Sequence, residues 1–392
     1  MAESIVIVGA KRTPIGSMQG KFNSMSASQL GAVAIKAAVE QAGVKPTEVD
    51  DLIFGNVLGA GQGQAPARQA ALGAGLDKST PATTINKMCG SGMKAAMMAF
   101  DSLSSGNSTI VVAGGMESMT NAPHLLPKGR GGIRYGHGQV LDHMAFDGLE
   151  NAYDGKPMGT FADATAAKYG VTREQMDAYS KTSTERAVGA SKGGHFKDEI
   201  APVTVKGRKG DEVVSEDETP FSVNVEKIPT LRPAFNKDGT VTAATSSSIS
   251  DGAAALVMMT ESEAKKRGAK PLARIVAHAS NAHEPEWFTT APVGAIEKVL
   301  KKAGWKASDV DLFEVNEAFA IVTMAAMKDI GIPHDKVNVN GGAVALGHPI
   351  GATGARIITT LIYALKKRGL KKGVAALCIG GGEGTAIALE VL

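Results

Sequence analysis

Apolar positions along the chain follow two alternating patterns. Compact apolar runs, Ile5–Val8 first among them, have the length and β-branched content of buried strands; Val49–Val57 and Ile110–Val112 read the same way. Between these runs apolar residues recur at helical spacing. Ser26 stands as an N-cap before Leu30, Val33, Ala34, Ala37 and Ala38, and Gly43 follows as a stop. Ala65–Leu72 predicts a second helix. Thr83–Gly92 leads from a strand into a third, with Met93, Ala96, Met97 and Phe100 on its apolar face.

From about Met119 to Ser250 the pattern breaks. Gly-rich loops (Lys128–Gly138) and a charged, hairpin-like stretch (Lys206–Glu218) surround one predicted helix near Arg173–Val188. This segment reads as a large insertion, and regular alternation resumes at Asp251–Met259.

The last third repeats the first. Ala42–Asp50 matches Ala303–Asp311 without a gap, with five of nine positions identical. Ser91-Gly92 lines up with Thr353-Gly354, and Ile110–Gly115 with Ala376–Gly381. Three matches in one order predict a duplicated unit of strands separated by helices. The fold class is therefore α/β: layered α/β/α, two pseudo-symmetric halves with mixed, mostly parallel sheets, and an inserted loop domain. The expected boundaries are 1–119 with 251–270 for the first half, 120–250 for the insertion and 271–392 for the second half.

Composition narrows the class. With 392 residues the chain can bury substantial cores, and 47 glycines suit close helix–strand packing. A net charge of +3 is too small to point to nucleic acid. No run approaches the roughly 20 apolar residues of a membrane span, and Ile5–Val8 is too short for a secretory leader. Two cysteines make no disulfide framework, so a reducing cytoplasm is expected. Neither they nor the histidines have metal-ligand spacing, and no metal is expected.

Candidate chemistry gathers at turns. Asn340–Arg356 holds five glycines and places His348 between Gly347 and Pro349, just before a helical pattern beginning at Thr353. Taken alone, it is equally a tight strand-to-helix connection or a reactive site using the free N–H groups of a helix start. Cys89 precedes the matching helix start, where the macrodipole favours thiolate, although a lone cysteine is most often a small buried hydrophobe. Cys378 ends an apolar strand that opens into Gly380-Gly381-Gly382, the place where α/β proteins put their sites. Asn316 also ends a strand, and either caps the next helix or orients a water or carbonyl. If the halves pack about a pseudo-twofold axis, both helix starts converge and bring Cys89 and His348 together.

Five blocks resemble the signatures of thiolases: Asn86–Gly92, Gly114–Met119, Asn316–Ala320, Gly341–Gly354 and Cys378–Gly382. The resemblance extends from Ala10–Pro14 to the C-terminus, and is nearest the biosynthetic subgroup that joins two acetyl-CoA molecules to acetoacetyl-CoA. It implies Cys89 as an acyl-accepting nucleophile, His348 as its proton acceptor and Cys378 as the acid/base that forms the enolate of a second acetyl-CoA. One oxyanion would be held by His348 with a water on Asn316, the other by the backbone N–H groups of Cys89 and Gly380. Ser247 would contact the pantetheine, and Phe319, Met158 and Ala318 would line its channel. Coenzyme A thioesters would be substrates, with no resident cofactor, and the loop Ala122–His143 would build a homotetramer.

The sequence departs from the subgroup at Lys156-Pro157-Met158-Gly159, where a histidine is usual, and near Phe221, where an arginine for the nucleotide phosphate is missing. Lys206, Arg208 and Lys227 are candidate substitutes. It also carries Glu383 after the glycines. A degradative 3-ketoacyl-CoA thiolase of broader chain length and a non-catalytic acyl-CoA binding protein are the alternative readings.

Overall fold

The computed structural model describes residues 3–208 and 210–392. The first half runs β1 (Ile5–Arg12), α1 (Ala27–Ala42), β2 (Asp51–Gly55), α2 (Pro66–Gly73), β3 (Ala82–Ile85), α3 (Ser91–Ser104), β4 (Ile110–Ser118) and, after the insertion, β5 (Ser250–Thr260). The second half repeats it as β6 (Ala273–Ala282), α4 (Ala291–Ala303), β7 (Leu312–Val315), α5 (Ala320–Ile330), α6 (Thr353–Arg368), β8 (Lys372–Ile379) and β9 (Glu383–Val391). Local chemistry sets the first helix as expected. Ser26 accepts from the Gln29 N–H in a capping box, and Gly43 ends the helix in the left-handed conformation.

The strand order is β7-β8-β9-β6-β1-β5-β4-β2-β3, so the halves meet where β1 pairs with β6. Their register centres on Val6 opposite Arg274, flanked by Ile5 opposite Ile275 and Ile7 opposite Ala273. That pairing is its own image when the halves are exchanged, and it marks the pseudo-twofold axis. In each half all strands but one run the same way, as a mostly parallel sheet requires. The reversed strands, β5 and β9, lie between their neighbours and make those contacts antiparallel.

Alternate residues of one strand feed different layers, because side chains on a strand alternate in direction. Ile5 and Ile7 join a central cluster with Met93, Met97, Ile358, Leu361 and Leu377, whereas Val6 and Val8 pack outward with Leu30, Ile35 and Ala38 of α1. The second half packs outward on Ile296 and Val299 of α4. The layers therefore run helix, sheet, helix, sheet, helix, with α3 and α6 shared in the middle.

The duplication extends to single hydrogen bonds. Asp50 accepts from the N–H groups of Thr109 and Ile110, and Asp311 from those of Lys371 and Lys372. This equates Ile110 with Lys372. The third sequence match, which set Ile110 against Ala376, is thus displaced by four residues. Glycine-rich strand ends attracted that alignment, but the ladders of β4 on β2 and β8 on β7 fix the register.

Within the insertion, the expected helix spans Arg173–Lys192, and a second, unexpected one spans Met158–Tyr169 behind Pro157. Its buried face of Phe161, Ala162, Thr165 and Ala166 is too short and too rich in small residues to stand out by periodicity. The charged stretch forms a hairpin, Val203–Val205 with Glu212–Val214. No helix among the described residues is long and apolar enough to cross a membrane.

The central helices touch at their starts. A Cβ added at Gly92 would lie 2.9 Å from the Ala355 nitrogen, and one added at Gly354 would overlap the Met93 backbone nitrogen. Backbone cannot yield as a flexible side chain does. Gly354→Ala is expected to destabilise the protein by about 1–3 kcal/mol through overpacking, read as a lower urea midpoint. Ala at Gly189, which has open space around it, should shift that midpoint far less.

Candidate active site

Two helix starts and two strand ends build the site. After β3 the chain turns sharply at Met88, which adopts φ +46°, uncommon for a residue with a side chain. The Ser91 hydroxyl ties this turn, accepting from the Lys87 N–H at 2.8 Å and donating to the Met88 carbonyl at 2.7 Å. Cys89 is thereby presented just ahead of α3. Thr353 is the counterpart of Ser91 in the second half. Its hydroxyl donates to the Pro349 carbonyl at 2.9 Å and lies 2.6 Å from His348 Nδ1.

That pairing sets the imidazole tautomer. With its own hydrogen directed to Pro349, Thr353 Oγ1 accepts from Nδ1–H, which leaves Nε2 unprotonated. Nε2 faces the Asn316 side-chain nitrogen at 3.5 Å. Asn316 therefore does not cap a helix: α5 begins four residues later, after Phe319 and with no side-chain cap. Its Oδ1 is buried without a protein partner, an acceptor free for a substrate or solvent donor.

Cys89, His348, Gly380, Met158, Ser247, Ala318 and Phe319 line one cavity of about 240 Å³. Ser247 donates its hydroxyl to the Ala318 carbonyl at 3.0 Å, joining the insertion to the segment that carries Asn316. Phe319 packs edge-on against Phe235 and Phe288. Cys378 does not line the cavity. It is fully buried beside Ala318 and Phe319, close enough to Cys89 to feel a charge there. All the expected residues therefore gather at one place, with Cys378 beneath its surface.

Electrostatics reverse one expectation. The N–H groups of Cys89 and Gly380 do favour a thiolate at Cys89, yet burial outweighs them and pushes the thiol up to about 11. Magnitudes explain the outcome. A helix terminus contributes about 0.3–1 kcal/mol, less than one pKa unit of about 1.4 kcal/mol, while burial moves a group by up to several units. The Cys89 side chain keeps one face toward the cavity, but Met119, Leu149 and Ile350 shut out most of the water around its sulfur. Burial, together with the Arg356 charge, likewise lowers His348 to about 3. The resting pair is thus a neutral thiol and a neutral imidazole. Cys378 is held well above the ordinary thiol range, first by burial and then by charge on Cys89.

Several contributors carried no separate signal in the sequence. Phe235 comes from a distant loop and Phe288 from the short helix Pro285–Thr290. Thr353 was visible as the match to Ser91, yet not as the partner of His348. Glu383, which had no assigned consequence, forms an ion pair with Lys87 and links the turn before Cys89 to the strand after the Gly380 turn. Lys206 and Arg208 stand on the exposed hairpin and Lys227 on the short helix Val225–Thr230; none lines the cavity.

A duplicated α/β scaffold with two thiols, an imidazole and backbone donors at one point defines a cysteine-centred site shared by two halves. Residues 5–262 match the description "Thiolase, N-terminal domain" and residues 269–391 match "Thiolase, C-terminal domain". The chain belongs to the thiolase family. It is 51% identical over 391 residues to a probable acetyl-CoA acetyltransferase of Dictyostelium discoideum, covering 100% of this chain and 94% of that one. It is 49% identical, over the full length of both, to an acetyl-CoA acetyltransferase of Allochromatium vinosum. The crystal structure of the Bacillus anthracis acetyl-CoA acetyltransferase superposes with a TM-score of 0.97 at 42% identity, covering 100% and 99% of the two chains.

A neutral resting pair has a measurable consequence. Alkylation of Cys89 by iodoacetamide needs thiolate, so its rate should rise about tenfold per pH unit from 7 to 9. It should not level off near the ordinary thiol value of ~8.5. Mass spectrometry of the Cys89 peptide reads this, and a plateau near neutral pH would show a preformed thiolate–imidazolium pair instead.

Proposed function

We propose that the chain is an acetyl-CoA C-acetyltransferase that reversibly condenses two acetyl-CoA molecules to acetoacetyl-CoA and CoA. One observation carries the reading: Cys89 shares its cavity with His348 and with the Gly380 turn, directly above a second buried thiol. Names of full-length relatives at about half identity point the same way.

In the first stage Cys89 attacks the thioester carbonyl as its proton passes to His348 Nε2. A thiol at about 11 and an imidazole at about 3 do not exchange a proton at rest. Charge separation is therefore coupled to attack, when the N–H groups of Cys89 and Gly380 meet the developing oxyanion. The C–S bond to coenzyme A breaks, and the proton leaves with the CoA sulfur. In the second stage the Cys378 proton passes to His348 Nε2 as the Cys378 sulfur takes a methyl proton of the second acetyl-CoA. The Nε2–H of His348 and a donor held on Asn316 stabilise the enolate oxygen. The carbanion attacks the acetyl-Cys89 carbonyl, a C–C bond replaces the C–S bond, the Nε2 proton passes to the released Cys89 sulfur and the methyl proton stays on Cys378.

Coenzyme A thioesters enter as substrates, and each proton and acyl transfer falls to a side chain, without a resident cofactor. Ser247, Met158, Ala318 and Phe319 form the apolar channel for the pantetheine arm. Two free thiols suit a reducing compartment, the cytoplasm. The loop Ala122–His143 supports a homotetramer: its hairpin His124–Leu125 with Leu141–Asp142 carries a tip where Ile133, Tyr135 and Val140 stand exposed, an apolar surface suited to a second copy.

Radiolabelled acetyl-CoA should label Cys89, and label elsewhere would sink the assignment. Cys378→Ala should still be acetylated yet lose condensation by about 10²–10⁴-fold, the usual worth of a general base; condensation at the wild-type rate would make Cys378 structural. Thiolysis of 3-ketoacyl-CoAs of increasing length should favour acetoacetyl-CoA, because the cavity holds only about 240 Å³.

A further inference from the structure

Glu117 has no part in the chemistry above, yet it is fully buried at the end of β4. Its carboxylate accepts four N–H bonds: from the Asn56 side chain at 2.7 Å, from Val57 at 3.0 Å, from Leu58 at 3.1 Å and from Gly351 at 2.9 Å. The first three lie in the loop after β2 of the first half. Gly351 lies in the second half, three residues after His348. We propose that Glu117 is a positioning residue that fastens the His348 turn to the half carrying Cys89.

Three further observations converge on this role. First, the fit is close: a Cβ at Gly351 would lie 2.6 Å from Glu117 Oε2 and 2.7 Å from the Met116 carbonyl. Second, the other end of the same turn is held in the same way. Glu317 accepts from the Val344 N–H at 3.2 Å, and from Tyr179, Ser183 and Asn338 at 2.7–2.8 Å. Residues 344–351 are thus suspended between two buried carboxylates, one at each end, and His348 is in the middle. Third, the duplication gives no structural reason for a carboxylate at this point. In the register that equates Ile110 with Lys372, the counterpart of Glu117 is Ile379, so a buried apolar residue serves at the matching strand end.

The titratable groups facing Glu117 are Cys89 and Asp251. Burial, which the backbone N–H groups of Leu58, Val57 and Gly351 only partly offset, raises Glu117 to about 7, and Asp251 adds to the rise. Above that pH the carboxylate is charged, grips its four donors most firmly and disfavours a second negative charge on Cys89. Loss of the anion therefore has two opposite effects. The nucleophile ionises more readily, while the base that should receive its proton is less well placed.

Glu117→Gln in the full chain separates these effects. It keeps shape and loses charge, and its amide nitrogen meets N–H groups that need an acceptor. The iodoacetamide profile of Cys89 should shift to lower pH, while kcat for condensation falls by about 100-fold, the scale of a ~1 Å misplacement, at unchanged KM. Glu117→Asp, which keeps the charge, should hold the wild-type alkylation profile and recover part of kcat. An unmoved profile with wild-type kcat overturns the proposal. If Glu117→Gln does not fold, Asn56→Ala removes one of the four donors instead: a severalfold fall in kcat at unchanged KM supports the role, and no change overturns it. The kinetic readout rests on the acyl-transfer reading; the alkylation profile does not. Failure of acetyl transfer in the wild type therefore leaves the positioning role testable.

Discussion

The close approach of α3 and α6 at Gly92 and Gly354 is the constraint on which the rest of this molecule depends. Each helix start occupies the space that a side chain would need on the other. Only this crossing brings the residue before one helix, Cys89, within one cavity of a residue before the other, His348. The sheets, the shared central cluster and the self-imaged pairing of β1 with β6 hold the crossing in place. Duplication thus supplies geometry: two equivalent turns, each tied by a hydroxyl, Ser91 in one half and Thr353 in the other.

Desolvation then sets the chemistry. Helix starts and glycine turns provide donors for negative charge, but the walls around them are apolar, and burial keeps the resting groups neutral. Such a site holds its polar groups in readiness for charge that appears only as the reaction proceeds, when fixed donors in a dry cavity have their largest effect.

The insertion completes what the duplicated core leaves open. Met158, Phe235 and Ser246–Ile249 form walls of the cavity. The insertion is also tied to the core by buried charge: Arg12 of β1 bonds Glu199 at 2.6 Å and Asp217 at 2.7 Å, with all three shielded from solvent. Removing one partner from such a set leaves an uncompensated buried charge, at a cost of about 3–5 kcal/mol. The segment that read as irregular in composition is therefore firmly docked where it meets the site.

Local patterns in the chain were enough to place the first three helices, those beginning near Arg173 and Thr353, the strand-ending turns and the repeat at Ala42–Asp50 and Ala303–Asp311, because caps, glycine stops and apolar periodicity act over a few residues. They were enough to single out Cys89, Asn316, His348 and Cys378, since each stands where a strand or helix ends. They misplaced the third repeat match by four residues, as glycine-rich strand ends resemble one another and only ladder hydrogen bonds fix register. They favoured a thiolate at Cys89, because a helix start is visible in a sequence and the apolar walls that overrule it are not. They gave no role to Thr353, Glu117 or Glu383, whose partners lie on other turns or in the other half. The candidate reactive groups were legible in the sequence alone. Their protonation and their mutual placement were decided by tertiary structure, because burial and distance are properties of the packed chain.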